Sequence, residues 1–175
     1  MQILMYFAIV LGGLVALILI VAALMPGTYA IKAETTIAAS KNKVQDHIAD
    51  LNHYRDWNPW QQMEPGSKQQ IEGVPHTVGH KYNWEGKKIG AGQLTLKSIT
   101  PGHEVNFKLE FFKPWKSVAS DEWTFEGDDK NCKVTWSNNG PLAWPMARLM
   151  GPMIVKQLNT QFAVGLKNLK TLCEK

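Results

Sequence analysis

Asp121 is the carboxylate whose place in the sequence could support acid–base chemistry. Within Ser117–Phe125, Ala119, Asp121, Trp123 and Phe125 alternate with other residues, as in a strand with one buried face. A carboxylate on an apolar face loses hydration, which raises its pKa and makes it a usable acid or base. The alternative is an aspartate near a strand end whose side chain reaches solvent. Asp121 is therefore a candidate catalytic residue, and the sequence leaves both interpretations open.

Other residue types that carry chemistry lack the spacing they need. The chain has no G-x-S-x-G motif for a serine nucleophile. His76 and His80 lie four apart in a stretch rich in Gly and Pro, without a Cys-x-x-Cys motif, so they do not indicate a metal site. Gly90-Ala-Gly92 lacks the third glycine and the following helix of a dinucleotide-binding loop. The sequence therefore indicates neither a metal nor a cofactor.

Large apolar side chains recur on one face of several predicted strands and of the last helix. Such stripes are most often simple core packing, but they could also line a cavity that binds a ligand. Methionine is flexible and adapts to variable ligands, although it fills core gaps equally well. The candidate cavity residues are Tyr82, Trp84, Phe107, Leu109, Phe111, Trp123, Trp136, Met146, Met150, Met153 and Phe162.

The N-terminus carries no charged side chain before Lys32. As a helix, the uncharged run Ile3–Leu24 would be about 33 Å long, which matches a hydrocarbon core of about 30 Å. We therefore expect a transmembrane anchor over residues 1–27 and a soluble domain over residues 28–175. The alternatives are a buried helix or a cleaved signal peptide, which would usually have a basic start and a shorter apolar core.

The charge distribution bears on the partners of the domain. Lysines follow the apolar run and none precedes it, so the positive-inside rule places the domain in the cytoplasm as part of a single-pass protein. Residues 142–175 carry a net charge of +4, equal to the excess of the whole chain. This basic face fits an anionic membrane surface or is an ordinary solvated face. Two arginines and no nucleic-acid-binding module argue against nucleic acid as a partner.

Cys132 and Cys173 lack a disulfide-framework spacing, so we expect reduced or buried thiols.

Periodicity predicts the order of the elements. A strand over residues 29–37, two short helices and a weak strand over Gln69–Gly73 precede a run of strands spaced like hairpins, and a helix over Trp144–Cys173 ends the chain. Gly151-Pro152 should kink or split that helix. The run of strands is incompatible with a parallel sheet, so we expect an α+β fold in which the long helix covers a curved antiparallel sheet. An apolar space between the two would suit a small ligand. The expected strands in the run are His80–Glu85, Gly90–Thr100, Glu104–Phe111, Ser117–Phe125 and Cys132–Asn138.

Over residues 29–173 the chain resembles a known superfamily. The motifs that carry the likeness are Ile37-Ala-Ala-Ser40, Trp57-Asn-Pro-Trp60, Tyr82-Asn-Trp84-Glu-Gly86, Gly90-Ala-Gly92 and Gly165-Leu-Lys-Asn-Leu-Lys170. They are similar to the START/Bet v 1-like (SRPBCC) superfamily, and most of all to its polyketide cyclase/dehydrase and lipid-transport branch. The resemblance implies a helix-grip fold whose cavity takes lipids, sterols, polyketides or other apolar molecules. Some members are cyclases or hydrolases.

The sequence is compatible with three functions. The first is membrane-anchored binding, and possible transport, of a hydrophobic small molecule or lipid. The second is an enzyme similar to polyketide cyclases or hydrolases that uses the same cavity. The third is a scaffold that docks a protein partner at the membrane, which an interior without a cavity of about 300 Å³ or more would favour.

Overall fold

The computed structural model describes all residues from Met1 to Lys175. Five helices and seven strands follow one another in an order close to the predicted one. They are α1 (Gln2–Leu24), β1 (Thr28–Ile37), α2 (Lys41–Ala49), α3 (Tyr54–Trp57), α4 (Pro59–Met63), β2 (Lys68–Glu72), β3 (Lys81–Glu85), β4 (Ala91–Thr100), β5 (Glu104–Lys113), β6 (Ser117–Gly127), β7 (Cys132–Pro141) and α5 (Met146–Cys173).

The seven strands form one antiparallel sheet in the order β1-β7-β6-β5-β4-β3-β2. Strands β2 to β7 are joined as successive hairpins, whereas β1 pairs with β7 and so brings the start of the domain beside its last strand. The register shifts in β4 at Ala91/Gly92 and at Leu96/Ser98, and such bulges bend a strand. The predicted α+β helix-grip fold, a curved antiparallel sheet with a long C-terminal helix, is confirmed.

Side chains at the starts of two short helices explain where those helices begin. The Ser40 hydroxyl accepts a hydrogen bond from the backbone N–H of Lys43 at the start of α2. The Asn58 side-chain oxygen accepts one from the Trp60 N–H at the start of α4, and Pro59 occupies the first position of that helix. Both are favourable N-cap arrangements, since they satisfy backbone donors that have no partner in the helix.

Helix α5 is continuous from Met146 to Cys173, so the expected split at Gly151-Pro152 does not occur. A proline in the second turn removes only one backbone hydrogen bond, and tertiary packing supplies most of a helix's stability in a folded protein. Here that packing is extensive, because α5 contacts β1, α2, α3 and α4. Gly165 faces this interface, and a Cβ there would lie 3.0 Å from the Trp136 ring, so glycine permits the close approach of α5.

The core is a cluster of 22 buried apolar residues with stacked aromatic rings at its centre. Trp136 stacks on Phe162 of α5 and on Trp123, with ring centroids 3.6 and 4.3 Å apart. The Trp57 ring of α3 meets both tryptophans edge to face. The core therefore joins the sheet, α3 and α5 into one packed unit. Both cysteines, Cys132 and Cys173, are buried in it as free thiols, as predicted.

Helix α1 stands apart from this core. Nearly all its side chains are exposed, and only Ala22 is buried. The helix is long and apolar enough to cross a membrane, with a mean hydropathy of 3.0 over its most apolar window, although a signal sequence would satisfy the same criterion. Three residues, 25–27, separate it from β1.

Candidate ligand cavity

A cavity of about 130 Å³ lies between the sheet and the helices α3, α4 and α5. Its wall is mostly apolar and includes eight aromatic side chains, three of them tyrosines, and its other polar residues are one aspartate, two asparagines and one glutamine. The lining residues are Tyr29, Tyr54, Asn58, Trp60, Gln61, Tyr82, Trp84, Ile89, Leu94, Leu109, Phe111, Asp121, Trp136, Asn138, Leu158 and Phe162. The cavity is smaller than the 300 Å³ or more typical of ligand pockets.

The strand register explains one wall of the cavity. Tyr82, Leu94 and Leu109 are directly paired across β3, β4 and β5, so their side chains share one face of the sheet. Trp84 and Phe111 flank the neighbouring position, where β4 has Gly92. The glycine leaves room for the Trp84 ring, because an added Cβ would collide with that ring and with the Glu110 carbonyl oxygen.

Replacing Gly92 with Ala is expected to destabilise the protein by about 1–3 kcal/mol, the usual cost of overpacking a filled site, and to push Trp84 into the cavity. Denaturant unfolding of the full chain in detergent measures this loss. Gly66→Ala is the matched control, since nothing lies within 4 Å of the Cβ it would add. Equal loss in both variants, or none in Gly92→Ala, would contradict the packing seen around Trp84.

Asp121 forms the polar end of the cavity. It is directly paired with Asn138, and the next inward-facing pair along the same strands is Trp123 and Trp136. Its Oδ1 accepts hydrogen bonds from the Trp136 Nε1–H at 2.7 Å and from the Asn138 amide at 3.1 Å, and its Oδ2 accepts one from the Trp123 Nε1–H at 3.1 Å. The Tyr29 hydroxyl extends this network by donating to the Asn138 side-chain oxygen at 2.8 Å.

Burial sets the electrostatics of this network. Asp121 is only 4% exposed, and desolvation raises its pKa to about 6, against the opposing effect of the three donors. Burial, together with the nearby Asp121 charge, raises the pKa of Tyr29 to about 12. No basic side chain pairs with Asp121 in an ion pair. Since Oδ2 receives a single hydrogen bond, it retains capacity to accept one from a ligand. The solvent-exposed alternative for Asp121 is therefore wrong.

The raised pKa of Asp121 predicts a specific pH dependence of stability. The folded protein holds the Asp121 proton more tightly than the unfolded chain does, so this group's stabilisation is complete below its ordinary value of 3.8 and is lost as the pH rises through about 6. The loss is on the order of 3 kcal/mol. The difference in the free energy of unfolding between the wild type and Asp121→Asn isolates the effect. As the pH rises from 4 to 7, the wild type should lose stability relative to the variant. A constant difference would contradict the burial of an ionisable Asp121.

Glu64 fixes the loop that forms one rim of the cavity. Its carboxylate accepts hydrogen bonds from the backbone N–H groups of Lys87, Lys88 and Ile89, at 2.9, 2.8 and 3.2 Å. These donors lower the pKa of Glu64. Gln61, one turn earlier on α4, also lines the cavity, and its buried side-chain oxygen has no hydrogen-bond partner.

The structure brings together six of the eleven candidate cavity residues. Phe107 and Trp123 lie in the filled core beside the cavity rather than on its wall. The six that line the cavity are Tyr82, Trp84, Leu109, Phe111, Trp136 and Phe162.

The prediction that the three methionines line the cavity is wrong. Met146 and Met153 are 59% and 55% exposed, Met150 is half-buried, and none of them lines the cavity. They share a helix face by their spacing of four and three residues, but that face lies in the first two turns of α5. The α5 side chains at the cavity come later in the helix and are Leu158 and Phe162.

Other lining residues fall outside the predicted set, although some carry a signal in the sequence. Asn138 follows Trp136 by two residues and Tyr29 precedes Ile31 by two, so strand alternation places both on the inner face. The residues from short helices and the loop have no such periodicity. The unpredicted lining residues are Tyr29, Tyr54, Asn58, Trp60, Gln61, Ile89, Leu94, Asn138 and Leu158.

The two histidines weighed as metal ligands, His76 and His80, contact other groups of the protein. His80 is buried, where one ring nitrogen lies 3.1 Å from the Leu51 N–H and the other 3.0 Å from the Glu72 carbonyl oxygen. His76 lies 3.0 Å from the Asp46 carboxylate on the surface. No group of three or more potential ligands is placed to hold a metal ion.

Comparison with known proteins identifies the family. The family model described as "Polyketide cyclase / dehydrase and lipid transport" matches residues 29–174. The chain therefore belongs to this family, and the match covers β1 to α5 with the whole cavity. A search of curated proteins found no match.

Solved structures share the fold at low sequence identity. Protein CV1439 from Chromobacterium violaceum is 16% identical, with a TM-score of 0.63 and coverage of 83% of this chain and 97% of that one. Norcoclaurine synthase from Thalictrum flavum is 15% identical, with a TM-score of 0.60 and coverage of 83% and 94%. The Zhui aromatase/cyclase from a Streptomyces species is 15% identical, with a TM-score of 0.59 and coverage of 84% and 94%. At these identities the likeness concerns the fold alone.

Proposed function

We propose that this protein is a single-pass, membrane-anchored binding protein for a hydrophobic small molecule, part or all of which occupies the cavity. The observation that carries the proposal is an aromatic-walled cavity with one buried carboxylate, Asp121, at its end. Such a space, mostly apolar with a few directed polar groups, is the usual form of a small-molecule site. Membership of a family that includes cyclases and lipid-transport proteins supports this function.

The size of the cavity restricts the ligand. An engineered apolar cavity of about 150 Å³ holds one benzene molecule, so a cavity of about 130 Å³ suits a single aromatic ring or a short chain. A whole lipid exceeds this volume, and only a part of one would be enclosed. Asp121 Oδ2, which receives a single hydrogen bond, favours a ligand that carries a hydroxyl or amine hydrogen-bond donor.

Helix α1 supports the anchoring part of the proposal. Its 23 residues are uncharged, nearly all apolar and almost wholly exposed, which is costly in water and favourable in a bilayer. The linker of residues 25–27 lets β1 start no more than about 14 Å from the end of α1. The domain of residues 28–175 is then held beside the membrane, on its cytoplasmic side by the positive-inside rule.

Binding is tested with the full chain purified in detergent and in lipid nanodiscs. Native mass spectrometry should detect a retained small molecule of defined mass, and p-cresol, which combines one ring with one hydroxyl donor, should bind to the emptied protein. Asp121→Asn should weaken p-cresol binding because it replaces a charged acceptor. Empty protein in every preparation, together with no p-cresol binding, would contradict the proposal.

An enzymatic role in the same cavity is the second candidate, because Asp121 has the burial and raised pKa of a general base. In an aldol cyclisation a carboxylate removes a proton from the carbon beside one carbonyl. That carbon attacks a second carbonyl, and loss of water completes the ring. Heptane-2,6-dione is a small test substrate that would give 3-methylcyclohex-2-enone and water. Enone formation that Asp121→Asn abolishes while p-cresol still binds would support catalysis, and equal rates in both proteins would exclude this role for Asp121.

A protein-docking scaffold is the third candidate, and the small volume of the cavity favours it. The interior falls below the threshold of about 300 Å³ that distinguishes a typical ligand pocket. The binding experiment separates the two functions, since a scaffold would neither retain a small molecule nor bind p-cresol.

A further inference from the structure

Beside the α4–β2 connection, residues 64–67, three loops meet at the end of the sheet from which α1 leaves the domain. They are residues 86–90 between β3 and β4, residues 114–116 between β5 and β6, and residues 142–145 between β7 and α5. The pairings of Glu85 with Ala91, of Phe111 with Ser117 and of Thr28 with Pro141 place all three at this end. We refer to the surface formed by residues 86–90, 112–116 and 141–148 as the proximal end.

The residue that leads from α1 into β1 is hydrogen-bonded to the proximal end. The Leu142 N–H donates a hydrogen bond to the Gly27 carbonyl oxygen at 2.8 Å, and the Arg148 guanidinium lies beside Gly27. The strand register also shows how far the β5–β6 hairpin extends along the strand direction. Ser120 pairs with Asn139, and Asn139 pairs with Ala30. Counting three residues back along β6 puts Ser117 level with Gly27. Residues 112–116 therefore lie at or beyond the level at which the chain leaves α1.

The proximal end combines exposed apolar side chains with positive charge. The β5–β6 hairpin exposes Phe112 by 47% and Trp115 by 51%, and the start of α5 exposes Trp144 by 52% and Met146 by 59%. The three segments contain five basic residues and no acidic residue; the basic ones are Lys87, Lys88, Lys113, Lys116 and Arg148. Two carboxylates adjoin these segments: Glu85 pairs with Lys113, and Glu64 accepts hydrogen bonds from the backbone of the 86–90 loop.

The opposite end of the sheet lacks exposed aromatic side chains. Its connections, residues 38–40, 73–80, 101–103 and 128–131, contain no Phe, Trp or Tyr, and the large apolar residues they expose are Val74 and Val78. Positive charge is present at both ends, since Lys130 and Lys41 lie near Asp128. The lysines near the C-terminus of α5 also lie there, because Lys170 bonds to the Thr36 carbonyl oxygen at the far end of β1. Of the two interpretations of the basic C-terminal helix, the solvated face therefore fits its position and the membrane-facing one does not, apart from Arg148.

We propose that the proximal end docks into the headgroup region of an anionic bilayer, with Phe112, Trp115 and Trp144 inserted among the lipids. Tryptophan prefers the membrane–water interface, and clustered Lys and Arg are attracted to anionic lipids. The bilayer is the occupant because α1 leaves this surface and its short linker keeps the surface next to the membrane that α1 would cross. This inference rests on the anchoring part of the proposed function.

Docking in this orientation would turn the cavity toward the bilayer. Trp84, Ile89 and Phe111 line the cavity, remain partly exposed, and lie at the proximal end. A hydrophobic ligand could then pass between the lipid phase and the cavity without crossing bulk water, where its apolar surface would be costly.

The docking is tested on the full chain in nanodiscs that contain phosphatidylcholine with or without phosphatidylglycerol. A single cysteine is introduced as Trp115→Cys or Trp144→Cys and labelled with the environment-sensitive fluorophore NBD; Asp129→Cys at the opposite end is the control. The native thiols do not compete, since Cys132 and Cys173 are buried and burial raises the pKa of each to about 11. Protease protection reports the insertion of α1 in the same samples.

At positions 115 and 144 we expect blue-shifted NBD emission and quenching by spin-labelled lipid several-fold greater than at position 129. Added Lys87→Glu and Lys116→Glu changes should reduce that quenching on anionic nanodiscs. Inserted α1 with equally weak quenching at all three positions would overturn the docking but leave the anchor intact. Strong quenching at positions 115 and 144 that changes neither with the anionic lipid nor with the lysine substitutions would overturn the electrostatic part of the proposal. Failure of α1 to insert would refute the anchor and the docking together.

Discussion

Replacing Trp136 with Ala is expected to lower the free energy of unfolding by about 3–5 kcal/mol, the largest stability effect of any single side chain discussed above. Trp136 is 2% exposed and stacks between Trp123 and Phe162. Its removal leaves a void at the centre of the core and also removes the shortest hydrogen bond to Asp121, at 2.7 Å. Denaturant titration of the full chain in detergent, followed by circular dichroism, measures the loss.

Two further variants separate the causes of that loss. Trp144→Ala removes the same side chain from an exposed position and should change stability by no more than about 0.5 kcal/mol. Trp136→Phe keeps an aromatic ring in the stack but leaves Asp121 without one donor, which should cost about 1–3 kcal/mol and raise the pKa of Asp121 further. If Trp136→Ala has the same denaturant midpoint as the wild type, the aromatic stack does not stabilise the core.

Replacing Leu158 with Trp is expected to abolish p-cresol binding, or to weaken it at least about tenfold, equivalent to 1.4 kcal/mol. Leu158 is the half-buried α5 residue on the cavity wall, and its larger replacement would occupy space needed by the ligand. Because the site is partly exposed, the indole fits with little strain and stability should change less than affinity. Titration of the protein with p-cresol, followed by NMR, gives the affinity.

The matched control is Leu158→Met, which conserves volume and flexibility and should bind p-cresol nearly as well as the wild type. Its thermal stability should also match that of the wild type within the usual range for such swaps. Unchanged affinity in Leu158→Trp would place the ligand outside the cavity described here.

Much of the sheet could be predicted because each strand has one buried face. In Glu104–Phe111 the apolar residues Val105, Phe107, Leu109 and Phe111 alternate with polar ones, and the strand β5 occupies nearly that range. The same alternation placed Asp121 beside Trp123 on the inner face. Periodicity of two thus predicted the antiparallel sheet and offered an inward-facing Asp121 as one of two interpretations, between which burial decides.

The division between cavity and packed core could not be predicted in this way. Periodicity shows that Trp123 and Trp136 point inward, but which of them meets empty space depends on the position of Trp57, which packs against both. The prediction for the α5 methionines was wrong because a helical stripe shows the apolar residues but not which of them, large or small, meet the rest of the domain. In the first two turns of α5 the buried positions are Ala147 and Gly151, so Met146 and Met153 on the neighbouring face are exposed.

The orientation of the basic helix required the strand register. Sequence alone gave α5 a positive charge but not its direction relative to α1. Pairing of Thr28 with Pro141 shows that α5 begins near the exit of α1, and the contact of Lys170 with Thr36 shows that it runs away from there. The charge near the expected membrane surface therefore comes from the loops, not from the C-terminal lysines.

The most direct test of ligand binding is an NMR experiment on the full chain in nanodiscs with labelled leucine methyl groups and p-cresol. Leu94, Leu109 and Leu158 line the cavity, whereas Leu166 and Leu169 are buried away from it. We expect intermolecular nuclear Overhauser effects from the p-cresol ring to the first three leucines and none to the other two. Effects confined to the leucines of α1, or absent throughout, would show that the ring stays in the lipid and that the cavity does not bind it.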